Sequence, residues 1–118
     1  MKVKKLRQVF LVASDLEAQV RFFGTTLGLP LQFRDGERWV QFQAGEVSFA
    51  LTSPEEGQGV PPRVPVPVFE VESLDVALEE LRGSGHGVGA VRDMGSHGRT
   101  CLVRDPAGTP LVLFQRAS

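Results

Sequence analysis

Leu16, Val20, Phe23 and Leu27 follow one another at intervals of 4, 3 and 4, and Leu74, Leu78 and Leu81 repeat the start of that series 58 residues later. Such spacing lines apolar side chains along one stripe of a helix. An apolar, β-branched run precedes each series, at 9–12 and 64–71, and glycines follow each: Gly24 and Gly28, then Gly83 and Gly85. A strand–helix unit built twice at a fixed offset limits the fold more than any local propensity does. Each copy has an apolar sheet face that it cannot bury alone, so the copies must cover each other, within one chain or between two.

The chain of 118 residues is long enough for one domain with a real core, and 42% hydrophobic residues argue against disorder. A net charge of -1 gives no electrostatic reason to expect nucleic acid. Lys2, Lys4, Lys5 and Arg7 resemble the basic start of a signal peptide, but the apolar run from Val9 to Ala13 is too short for its core and Asp15 closes it. No stretch approaches the length of a membrane span. The lone Cys101 excludes an internal disulfide framework, so a reducing cytoplasm is the expected setting.

Val9-Phe10-Leu11-Val12 reads as a buried strand. Ser14 and Glu17 have capping-box spacing and open a helix that buries Leu16, Val20, Phe23 and Leu27. Gly28 suits a left-handed cap and Pro30 ends the helix. Strands are predicted at 31–34, 38–43 and 47–51, separated by Asp35-Gly36 and Ala44-Gly45. Alternation puts Val40 and Phe42 on one face of the middle strand and Trp39 with Gln41 and Gln43 on the other. Prolines and glycines from Ser53 onward mark a surface linker. A second set follows: a strand at 66–71, starting at a sheet edge because Pro65 and Pro67 cannot donate to a ladder, a helix at 74–82, and strands at 88–92, 100–104 and 110–115. Gly85-His86-Gly87-Val88-Gly89 follows a helix and precedes a strand, the reverse of a dinucleotide fingerprint. The fold class is α+β: two βαβββ modules, 1–53 and 64–118, joined by a Pro/Gly-rich linker at 54–63.

Three stretches resemble the vicinal oxygen chelate superfamily, which includes glyoxalase I, extradiol dioxygenases, methylmalonyl-CoA epimerase and bleomycin-binding proteins. They are Val12-Ala13-Ser14-Asp15-Leu16-Glu17 running through Phe22-Phe23 to Leu27-Gly28-Leu29, then Val68-Phe69-Glu70-Val71-Glu72-Ser73-Leu74-Asp75, then Gly98-Arg99-Thr100 to Asp105-Pro106-Ala107-Gly108-Thr109-Pro110-Leu111. The resemblance implies a cup-shaped mixed sheet with the helices outside, and a homodimer that assembles the cups. It also implies a divalent metal held by histidine and glutamate from the first and last strands of each module. The matching positions here are Gln8, Ala50, Val66 and Val112. Three of them have no donor side chain, and one neutral amide oxygen cannot hold a catalytic metal against water. The expected complement of metals and cofactors is therefore none.

Alternation then gives the lining that the resemblance implies: Gln8 with Phe10, Ala50 with Ser48, Val66 with Val68 and a rim Glu70, and Val112 with Phe114. Trp39 is either a half-buried structural residue or a ligand wall. Arg99 could grip a carboxylate, and Cys101, if it alternates with Arg99 and Val103, faces the same hollow. His86 and His97 read as exposed loop residues, His97 being the better candidate for a role. Three readings stay open. One is a metal-free protein that sequesters an apolar or aromatic small molecule in a dimeric cup, as bleomycin-resistance proteins do. Another is a lyase, isomerase or dioxygenase whose metal sits on Gln8, Glu46 or Glu70, and His97. The last is a module whose hollow has closed. Nucleic acid and membrane are not expected partners.

Overall fold

The computed structural model describes residues 1–118. The chain divides into two units, Arg7–Val66 and the combination of Met1–Leu6 with Pro67–Ser118. Each follows the β-α-β-β-β order read from the repeat.

In the unit Arg7–Val66, strand β1 (Val3–Val12, of which residues 7–12 lie here) leads to helix α1 (Leu16–Val20), then β2 (Leu31–Asp35), β3 (Trp39–Ala44) and β4 (Val47–Thr52). β1 runs parallel to β4, and β4-β3-β2 continue antiparallel. The other unit repeats this with β5 (Val66–Val71), helix α2 (Leu74–Gly83), β6 (Val88–Asp93), β7 (Arg99–Arg104) and β8 (Pro110–Gln115). β5 runs parallel to β8, and β8-β7-β6 are antiparallel. The duplication read from apolar spacing is thus a duplication of strand pairing as well.

The helix starts also coincide under the repeat. Asp15, in extended conformation, caps α1 by accepting from the Ala18 amide at 3.1 Å, and Ser73, 58 positions on, caps α2 by accepting from the Val76 amide at 3.2 Å. The sequence reading put this cap one residue early, at Ser14. A carboxylate at the cap satisfies an orphan amide and suits the positive end of the helix, so Asp15 takes the place.

The first helix is not α-helical to its end. From Arg21 to Thr26 it widens into a π-turn, marked by the Leu27 amide reaching back to the Phe22 carbonyl at 2.8 Å. Gly24, Thr25 and Thr26 are weak α-formers. Gly24 also lets the turn settle on Phe42, whose ring would stand 3.1 Å from a Cβ added there. Gly28 closes the turn with φ of +75°, as its position suggested.

The stretch read as a surface linker is packed instead. It forms a short helical turn, Glu55–Gly57, in which Gly57 lies against Val12 so closely that an added Cβ would be 2.5 Å from the valine Cγ2. Val60 beyond it is buried. The division between units falls at Leu6/Arg7 and Val66/Pro67 rather than within 54–63. The N-terminal residues join the later unit through the Glu72 amide on the Lys2 carbonyl (3.2 Å) and Lys4 Nζ, 3.5 Å from the buried Glu70 carboxylate. No helix is long and apolar enough to cross a membrane.

Candidate ligand-binding face

Each unit has a helix-covered sheet face and an opposite one. In Arg7–Val66, Val40, Phe42 and Leu51 are buried beneath Leu16, Val20 and Phe23. Because side chains alternate, this commits Trp39, Gln41, Ser48, Ala50, Gln8 and Phe10 to the opposite face. The register sets Gln8 beside Ser48 and Phe10 beside Ala50 across the β1–β4 pair, with Gln41 beside Ala50 on β3.

A chain of amide hydrogen bonds runs over this face. Gln8 Nε2 donates to Ser48 Oγ at 2.8 Å and to Gln41 Oε1 at 3.0 Å. The same Gln41 oxygen accepts from Trp39 Nε1 at 2.9 Å, and Gln41 Nε2 donates to Gln32 Oε1 at 3.1 Å. Gln41 therefore holds both the indole and Gln8 in place. The Trp39 ring leans on Phe10 with centroids 6.1 Å apart and planes tilted by 46°. Gln8, Trp39, Gln41 and Ser48 are half-exposed, whereas Phe10 and Ala50 are buried. Both Gln8 bonds are donated from Nε2, so its Oε1 is left to accept from an incoming group. The surface so formed is aromatic, rich in amide groups, and free of ionisable side chains at the six positions named above.

Gln41 was not singled out from the sequence. The signal was its alternation with Trp39, which puts the two on one face; what was missing was the strand order that brings Gln8 within reach.

In the other unit Val68, Glu70, Val112 and Phe114 occupy the face opposite α2, and all are buried; Val66, the last residue of the unit Arg7–Val66, is buried too. Glu70, expected at a rim, is 1% exposed and faces the Lys4 ammonium. Two expected site residues belong elsewhere. Cys101 lies on the helix-covered face with Leu74, Leu78, Val103 and Leu113, because the β7–β8 register pairs it with Leu113. Its thiol points to the Gly89 carbonyl at 3.3 Å, and burial pushes its pKa up, against the opposing effects of that bond and of Arg82. Arg99 alternates with it and turns to the start of α2, where Nη2 meets Asp75 Oδ1 at 2.8 Å. That hydrogen bond, and then the guanidinium charge, hold the Asp75 carboxyl below its usual range. Neither residue is available to a ligand on the opposite face. His86 and His97 are exposed in loops.

The residues do not fit a divalent metal. Gln8 offers a single neutral amide oxygen, Ala50, Val66 and Val112 have no donor atoms, and their strand neighbours Phe49, Leu51, Leu111 and Leu113 supply none. Glu46, Glu70 and His97 do not assemble either: no three His, Cys, Asp or Glu side chains gather in a metal-holding group.

Residues 5–113 match the sequence model of the Glyoxalase/Bleomycin resistance protein/Dioxygenase superfamily. An uncharacterized protein of Mycolicibacterium smegmatis is 29% identical over 116 residues, spanning 97% of this chain and 96% of that one. Among solved structures, a glyoxalase/bleomycin resistance protein/dioxygenase superfamily member from Vibrio splendidus aligns with a TM-score of 0.74 at 19% identity, over 96% of this chain and all (100%) of that one. Methylmalonyl-CoA epimerase from Mycobacterium tuberculosis aligns with a TM-score of 0.72 at 18% identity, over 98% of this chain and 90% of that one. At such identities the two structures speak for the fold alone.

Proposed function

We propose that this chain, which belongs to the glyoxalase/bleomycin resistance protein/dioxygenase superfamily, is a metal-free binding protein that sequesters an uncharged aromatic or apolar small molecule. The observation that carries this reading is the fate of Gln8. Its amide is tied to Ser48 and Gln41 in a chain of neutral groups ending at Trp39, its one free oxygen is neutral, and the other positions where a metal would be held, Ala50, Val66 and Val112, have no donor atoms. Such a face stacks a flat ring on Trp39 and orients it through a donor group to Gln8 Oε1. It offers no charge to match a cationic or anionic ligand and no acid or base for chemistry at a bound substrate.

The protein works, on this reading, as a homodimer. Phe22, Leu27, Leu31 and Phe33 are 47–58% exposed in the unit Arg7–Val66, an apolar surface that a second copy would cover.

The test is elemental analysis of the purified protein together with titration of Trp39 emission by neutral aromatic compounds. Saturable quenching without bound metal is the expected result. Stoichiometric Zn, Mn, Ni or Fe, with stability lost on chelation, would overturn the reading in favour of a metal-dependent enzyme.

A further inference from the structure

The halves share one plan, and where they depart from it a hollow opens. Beyond the π-turn of the first half, Leu29 returns to pack on the Val40–Phe42–Leu51 cluster. In the second half His86 makes to Leu81 the backbone bond that Leu29 makes to Phe23, and the residues on either side of it are Gly85 and Gly87. An added Cβ would meet nothing within 4 Å at either glycine. Past the end of α2 only Val88 returns to pack on the second half's core cluster, and an open hollow of about 350 Å³ remains over Phe69, Leu81, Leu111 and Leu113. Beside it, a second hollow of about 480 Å³ follows the backbone of Gly85, Gly87 and Gly89. The two share His86, Val103, Arg104 and Asp105. All of this lies within the unit formed by Met1–Leu6 and Pro67–Ser118, on its helix-covered side.

The charges at the junction are not balanced in what they offer. Asp105 is turned into its own loop, its Oδ1 accepting from the Ala107 and Thr109 amides at 2.9 and 2.8 Å. Arg104 uses only Nη1, on the Gly108 carbonyl at 3.0 Å, which leaves Nε and Nη2 to donate. The His86 ring has no hydrogen-bond or ion-pair partner. An apolar trough therefore opens beside two donors that have no acceptor.

We propose that these joined hollows bind a small amphipathic carboxylate, its alkyl or aromatic part on Phe69, Leu81 and Leu111 and its carboxylate against Arg104 and His86. An arginine fork beside an apolar trough is suited to that class and to little else. The combined space is within the range of small-molecule pockets, roughly 300–1,000 Å³. The site is independent of the function proposed above, since it shares no residue with the amide-lined face.

The experiment is an NMR titration of the full-length, ¹⁵N-labelled chain with hexanoate, octanoate and octanol. Octanoate should give saturable shifts at Leu81, Gly85, Gly87 and Gly89. Affinity should rise about fourfold per methylene from hexanoate upward. Octanol should bind about tenfold more weakly than octanoate, and Arg104→Gln, at an exposed position, should abolish that difference. Gly87→Leu, which adds a side chain where a Cβ meets nothing within 4 Å, should block both ligands with the melting temperature kept or raised. The proposal is overturned if those residues show no saturable shift, if octanol binds as well as octanoate, or if shifts appear only at Gln8 and Trp39. The last outcome would leave the proposed function standing.

Discussion

Replacing Gln41 by leucine tests the amide-lined face and the function drawn from it together. The side chain makes three hydrogen bonds, with Gln8 at 3.0 Å, Trp39 at 2.9 Å and Gln32 at 3.1 Å. The Gln32 bond is exposed and contributes next to nothing; the two sheltered ones are worth about 1 kcal/mol each. Gln8 keeps Ser48, and leucine gains some apolar contact, so the net loss is about 1–2 kcal/mol. An unfolding entropy of about 2.1 cal/mol/K per residue gives about 0.25 kcal/mol/K for 118 residues. The melting temperature should then fall by about 4–8 °C. Calorimetry measures it, and Trp39, the only tryptophan, reports the same change locally through a shift in its emission as its indole loses its acceptor. Gln41→Glu separates fold from binding: its carboxylate still accepts from Trp39 and Gln8, so stability near neutral pH should hold while binding of a neutral aromatic ligand weakens. A leucine variant with a melting temperature within about 2 °C of the parent and unchanged emission would show that the amide chain does not organise this face.

Gly98→Ala should be among the most damaging single changes. Its φ of +93° with ψ of -164° is open only to glycine, and an added Cβ would stand 2.5 Å from the Gln115 carbonyl oxygen. A loss of about 3 kcal/mol or more is expected, read as a fall in denaturation midpoint without change in slope. Cys101 should resist thiol reagents in the folded protein and react once denaturant is added, because the residue is 1% exposed. Its folded pKa is raised, so its contribution to stability is intact below the unfolded thiol value of about 8.5 and is lost as pH climbs through the folded one. Cys101→Val should flatten the alkaline decline in stability.

The repeat was legible in the sequence because apolar spacing is a direct consequence of burial, and the pairing of Val40 with Phe42 on the helix-covered face followed from alternation alone. Where the reading slipped, a non-local fact decided. Cys101 and Arg99 were assigned to the hollow by alternation, but alternation fixes which residues share a face and not which face the helix covers; the partnership with Leu113 and Asp75 settled that. The linker looked polar and proline-rich, and no local signal announced that Gly57 would be pressed against Val12, 45 positions earlier. The π-turn escaped notice because its defining bond, Leu27 to Phe22, replaces an α-helical one without disturbing the apolar series. The unfitness of the metal positions, by contrast, was visible from residue identity alone, since alanine and valine have no donor in any geometry.

Strand β1 serves two masters along its length: residues 3–6 pack with the unit completed by the last half of the chain, and residues 7–12 with the unit that ends at Val66. During synthesis residues 2–4 therefore precede their partners by most of a half, since Lys4 must wait for Glu70 and Lys2 for the Glu72 amide. Until then the basic residues Lys2, Lys4 and Lys5 precede a half whose own strands are already made. A fusion partner placed at the amino terminus would thus burden the half of the protein that is made last.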